Sequence, residues 1–169
     1  PPDTLFHFIV IKNGNYDHNS LYELPVKPSP NLPFASSVYW YPSTCYFEAT
    51  VMSEGRGTEK PFEIFGHPSL PKDLYSFTPV SRDGAKEPKL KNQTCYGWNV
   101  RGSKEEVLKK VNNRIQLGYL LEAYRLFPDK ENFFIKPKSG KLDESFFNKL
   151  AGNNTLMSQI RNGVSEQDI

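Results

Sequence analysis

Proline and glycine cut this chain into short lengths, and that punctuation limits the fold to brief elements joined by ordered loops. Four prolines (Pro25, Pro28, Pro30 and Pro33) crowd residues 25–33. Each fixes φ and removes a backbone donor, so the segment reads as an extended loop and not as a helix or central strand. Residues 50–71 are again rich in glycine and proline and hold few apolar residues. They are expected to be mostly loop, with one helical turn at 61–65 where Pro61 suits a first helical position.

Between these breaks, periodicity marks the elements. Residues 5–11 (LFHFIVI) form an apolar, β-branched and aromatic run that reads as a buried strand, followed by turn residues Asn13, Gly14 and Asn15. Residues 74–80 alternate like a strand, and 95–100 (CYGWNV) give another. A short helix is expected at 34–39, broken before Pro42, with a helix or strand leading on to Glu48. Residues 103–127 open with a capping box, Ser103 and Glu106. The apolar phase then changes: Val107, Val111 and Ile115 share one helical face, while Leu117, Leu120, Leu121 and Tyr124 fall on the other. The spacing predicts two helices with a break at Asn112 and Asn113, the second buried and ending before Pro128. Two helical patterns follow at 143–150 and 155–161, each closed by a glycine (Gly152, Gly163). The fold class expected is α+β: a single small mixed α/β domain with short strands, long Pro/Gly-rich loops and C-terminal helices.

Charge excludes some partners. The net charge is only +2, with no block of like sign to suggest nucleic acid or an anionic membrane. The most basic stretch, residues 86–91 (KEPKLK), contains a proline and an acid and reads as a solvated loop. No apolar run approaches the roughly 20 residues of a membrane helix. Cys45 and Cys95 suit buried apolar positions, and His7, His18 and His67 have no metal-ligand spacing, so neither metal nor cofactor is expected. Aromatics reach 14%, enough either to line a cleft or interface or to fill a core beneath long loops. Trp40, Tyr41, Tyr96 and Trp98 could serve either purpose. The chain opens on Pro1-Pro2, and residues 165–168 resemble a helix cap with no helix after it; both ends are expected to be cuts in a longer protein.

The chemistry concentrates in residues 41–68, YPSTCYFEATVMSEGRGTEKPFEIFGHP. Glu48, Glu54 and Glu63 lie close together in sequence. Gly55 and Gly57 flank Arg56, whose planar fork suits a carboxylate or phosphate held bidentately. The alternative is an internal ion pair of Arg56 with Glu48 or Glu63. The phosphate-loop pattern is absent. Paired carboxylates are also what glycoside hydrolysis needs, at a separation that sequence does not supply.

The strings PSPNLP (28–33), YPSTCYFEAT (41–50), SEGRGT (53–58) and PFEIFGHP (61–68) resemble the exo-β-N-acetylmuramidase family, formerly a family of unknown function. FTP (77–79), CYG (95–97) and EAYRLFPDK (122–130) follow in the same order. The resemblance implies a secreted or periplasmic bacterial hydrolase that removes terminal non-reducing N-acetylmuramic acid from peptidoglycan fragments in cell-wall recycling. It implies two domains, an N-terminal Rossmann-like one and a smaller α/β one, with the active site between them. Residues 1–169 then correspond to the second domain, with 140–169 as a helical tail. It is expected to complete the cleft and to be inactive alone, because the principal catalytic carboxylate is expected on the other half. Its partners are a muramic-acid saccharide and that N-terminal domain. Carried over, the family's motifs fall on Glu48 as the candidate catalytic residue. The substrate-binding set is Glu48, Ser53, Gly55, Arg56, Gly57, Thr58 and Glu63, with Arg56 gripping the lactyl carboxylate. Ala49 stands where the family has glycine, which would matter if that position required positive φ. The competing reading is a non-catalytic carbohydrate-binding or interaction module.

Overall fold

The computed structural model describes residues 24–169 together with Ile9, Asp17, Ser20 and Tyr22. The strand expected at 5–11 and the turn after it fall outside the described residues, apart from Ile9, which is exposed where a buried strand residue was expected.

The first helix, α1 (Ala35–Thr44), runs straight through Pro42, where a break was expected. Interior proline costs a helix about 3 kcal/mol. Tertiary anchoring opposes that cost: Trp40 is buried and donates its indole N–H to Val100 O at 3.0 Å, and the Thr44 hydroxyl satisfies Trp40 O at 3.0 Å. At the start, the Ser37 hydroxyl accepts from the Phe34 N–H and donates to the Phe34 carbonyl. The chain then tightens into a 3-10 turn, Cys45–Ala49.

Three antiparallel strands follow in the order β1-β3-β2: β1 is Ile64–His67, β2 is Tyr75–Phe77 and β3 is Cys95–Asn99. β2 and β3 were expected; β1 replaces the helical turn predicted at 61–65. Pro61 does enter a turn, with the Glu63 and Ile64 N–H groups both donating to Lys60 O. Ladder partners on both sides then hold Ile64–His67 extended: β3 on one, and Ser53 through paired bonds to Gly66 on the other. Gly66 and Gly97 face one another in that ladder. A Cβ on Gly97 would lie 1.9 Å from Phe65 O, so no side chain fits there.

The capping box at Ser103 forms as expected and opens α2 (Lys104–Val111). Asn112 and Asn113 both take positive φ and end it. α3 (Gly118–Leu126) buries Leu120 and Ala123. Its first amides donate to Glu166 Oε1 from Leu117 and Gly118, so residues 165–168 form a turn that caps α3 and not the start of a helix. α4 (Phe146–Ala151), capped by Ser145, and α5 (Leu156–Arg161) complete the chain, with Gly152 and Gly163 at positive φ beyond them.

The core is largely aromatic. Phe47 stacks on Phe65 at 4.5 Å and Phe65 on Trp98 at 5.7 Å, while Phe133, Phe134 and Phe147 pack edge to face beside them. Burying each ring removes water-exposed surface worth about 1.5–3 kcal/mol. Phe65 is the middle ring of this stack, and Phe47, fully buried at one end, anchors the backbone beside its neighbour Glu48.

Candidate functional site

Glu48 sits on the 3-10 turn, and its carboxylate meets Arg56 at 2.8 Å. The loop carrying Arg56 is built by local chemistry. Ser53 pairs with Gly66 of β1, and its hydroxyl accepts from the Gly55 N–H at 3.2 Å. The Thr58 hydroxyl donates to Gly55 O at 2.6 Å and accepts from the Lys60 N–H. Gly55 and Gly57 take φ of +82° and +79°. A Cβ at Gly55 would meet Ile64 O, and one at Gly57 would meet Pro88, so the glycines let the loop press against its own protein. Ser53, Gly55, Gly57 and Thr58 therefore set the loop, and Arg56 is the side chain it presents.

The Arg56 guanidinium also lies 3.8 Å from Glu54, a carboxylate only 2% exposed. Glu54 in turn is 2.7 Å from the ammonium of Lys89. Lys89 also donates to the carbonyls of Phe47, Thr50 and Glu48 at 2.8, 3.0 and 3.3 Å. Burial lowers the Lys89 pKa, and Glu54 works against that by favouring the charged form. Tyr41 completes the group: its hydroxyl approaches Glu48 at 3.4 Å, and burial, then the negative charge of Glu48, raise its pKa.

Glu48, Glu54, Arg56 and Lys89 line a depression of about 600 Å³. Arg56 is thus both ion-paired and open, with 35% of its side chain exposed. Asn31 and Lys86 also line an adjoining depression of about 710 Å³, which holds Gly57 and Thr58, so the two form one trough. Glu63 does not join them. It is fully buried, its carboxylate oxygens make no hydrogen bond, and burial raises its pKa against the weaker opposing pull of Ser36, Arg101 and Lys60. Ala49 does not have positive φ and packs in the core, so the alanine is unstrained.

Of the aromatics, Trp40 is core and Tyr41 reaches the site, while Trp98 and Tyr119 line a separate depression of about 280 Å³. Both cysteines are free thiols, with pKa values pushed up by burial to about 11 for Cys45 and about 12 for Cys95. Sequence reasoning missed Lys89. Its one local signal is Pro88, which packs on Gly57 and delivers the lysine inward; its partners lie 35 and more residues away.

The family profile described as "Exo-beta-N-acetylmuramidase NamZ, C-terminal" matches residues 39–169. Peptidoglycan beta-N-acetylmuramidase NamZ of Bacillus subtilis (strain 168) is 31% identical over 161 residues, covering 85% of this chain and 35% of that protein. The crystal structure of a DUF1343 family protein from Bacteroides fragilis NCTC 9343 superposes with a TM-score of 0.79 at 41% identity, over 91% of this chain and 40% of that one. The chain therefore spans little more than a third of the length of these relatives.

Proposed function

The chain belongs to the exo-β-N-acetylmuramidase C-terminal family, and from that premise we propose that it forms one wall of the active-site cleft of a peptidoglycan exo-β-N-acetylmuramidase. The full-length protein is then a glycoside hydrolase that releases terminal non-reducing N-acetylmuramic acid. A preceding domain of the same polypeptide supplies the other wall and the principal catalytic carboxylate, and residues 1–169 alone are inactive. On this reading the enzyme acts in the periplasm or outside the cell.

The observation that supports this reading best is the open guanidinium of Arg56. Held by Glu48 on one edge, it keeps a solvent-facing side in a depression large enough for a sugar. N-acetylmuramic acid carries a lactyl carboxylate, whose planar pair of oxygens matches that fork. Glu48 orients sugar hydroxyls or a catalytic group on the opposing wall, and Tyr41 steadies it.

Replacing Arg56 with Lys in the full-length protein keeps the charge and removes the planar fork. On a chromogenic N-acetylmuramic acid glycoside, the expected result is a KM raised about 10-fold or more. Unchanged KM and kcat would make Arg56 a structural residue and remove the support for this reading.

A further inference from the structure

Lys89 lies in a stretch whose composition suggests full solvation, yet its ammonium is the most heavily coordinated side-chain group of the site. An ammonium has three protons. All three go to the carbonyls of Phe47, Thr50 and Glu48 at 2.8, 3.0 and 3.3 Å, and Glu54 Oε2 lies 2.7 Å away as the ion-pair partner. No proton is left over for a ligand, so Lys89 neither grips substrate nor transfers a proton to it. What it does hold is the backbone on which Glu48 is mounted. The three carbonyls lie at and just beyond the end of the 3-10 turn, and that of Phe47 also accepts from the Thr50 N–H and hydroxyl.

The side chains close a ring around this contact. Lys89 neutralises Glu54, Glu54 faces Arg56 at 3.8 Å, and Arg56 holds the Glu48 carboxylate at 2.8 Å. The signs alternate around the ring. Glu54 is nearly inaccessible to water, so its charge requires a cation close by. While Lys89 supplies it, Arg56 is free to pair with Glu48. Without Lys89, Arg56 is the one cation among the described residues already within 4 Å of Glu54, and satisfying the buried acid means abandoning the outer one.

We propose that Lys89 is the positioning residue of the site: it fixes the backbone of Glu48 and, by neutralising Glu54, reserves Arg56 for Glu48 and the substrate. This rests on the reading of the trough as half of a muramidase cleft.

The test compares Lys89→Met with Lys89→Met/Glu54→Gln in the full-length protein. The single variant leaves a buried acid that draws Arg56 away; the double variant removes the acid that draws it. Expected for Lys89→Met is a kcat lowered about 10-fold or more, together with a KM on the chromogenic muramic-acid glycoside raised about 10-fold, because Arg56 leaves Glu48 and the lactyl carboxylate alike. The double variant is expected to recover part of the lost kcat and to reverse most of the rise in KM, compared per folded protein by far-UV circular dichroism because removing the unpaired buried charge also favours folding. A crystal structure of Lys89→Met reads the same event without turnover, with Arg56 turned onto Glu54. Unchanged kcat, a double variant no better than the single, or Arg56 still seated on Glu48 in that crystal would each overturn the proposal. Failure of the wild-type protein to hydrolyse the glycoside would instead overturn the muramidase reading, leaving the crystallographic result to decide the role of Lys89.

Discussion

Glu48 and Glu63 each follow a phenylalanine in a proline-bounded stretch, and nothing in their immediate sequence separates them. Their environments do. Glu48 stands at the rim of the trough with Arg56 at 2.8 Å, whereas Glu63 is sealed beneath α1 with both oxygens unpartnered. The reason is the turn at Lys60–Glu63, which gives Phe62 positive φ and rolls Glu63 inward; no residue type in PFEIF announces it. Glu63→Gln tests that placement through stability. A buried carboxyl with a raised pKa favours its neutral form in the folded state. Its contribution is thus complete below the ordinary glutamate pKa and is lost as pH rises through the raised folded value, after which it stays constant. Wild type and Glu63→Gln should melt at similar temperatures near pH 4, and the variant should gain a few degrees near pH 8. A melting-temperature difference that is the same at both pH values would show that Glu63 carries no such penalty.

At the level of elements, what could be read in advance was whatever local chemistry decides. The Ser103 box, the asparagine break after α2 and the closing glycines of α4 and α5 all depend on groups within a few residues of one another. The errors fell where distant partners decide. Pro42 remains helical because Trp40 is tied to Val100, sixty positions on. β1 is extended because Ser53 and β3 flank it, although a four-residue run containing glycine shows no strand period of its own. The strings CYG and FGHP now have a physical meaning: Gly66 and Gly97 let two strands approach with no Cβ between them. Gly97→Ala forces the methyl group against backbone, at Phe65 O, which cannot swing aside. The expected cost is about 2–4 kcal/mol, read as a lower denaturant midpoint at unchanged slope. A midpoint shifted by less than about 0.5 kcal/mol equivalent would mean that the β1–β3 pairing gives way to the methyl group.

For the molecule as a whole, net charge conveys little, because its distribution is uneven. At the Glu48 end of the trough, Arg56 and Lys89 are offset by Glu48 and Glu54. In the adjoining arm four cations, Lys27, Arg82, Lys86 and Arg101, meet only Glu59 and Asp83. Among the described residues, Lys27 and Arg101 have no acid within ion-pair distance; the Arg101 guanidinium instead rests 4.2 Å above the Phe34 ring. The family was legible in sequence because its motifs recur in order, while this asymmetry was not, since residues 27, 82, 86 and 101 meet only in the fold. If the proposed sugar site is correct, this net-positive arm beside it attracts an anionic substrate over a distance set by the Debye length, about 10 Å at 0.1 M salt. In the full-length protein, KM for an N-acetylmuramic acid glycoside should therefore rise several-fold between about 50 and 500 mM salt. The corresponding N-acetylglucosamine glycoside, which lacks the lactyl carboxylate, should bind with little salt dependence. Initial rates on the two glycosides across that range make the comparison directly. Parallel salt curves would show that the arm does not act on the substrate, and would leave Arg56 alone to recognise its charge.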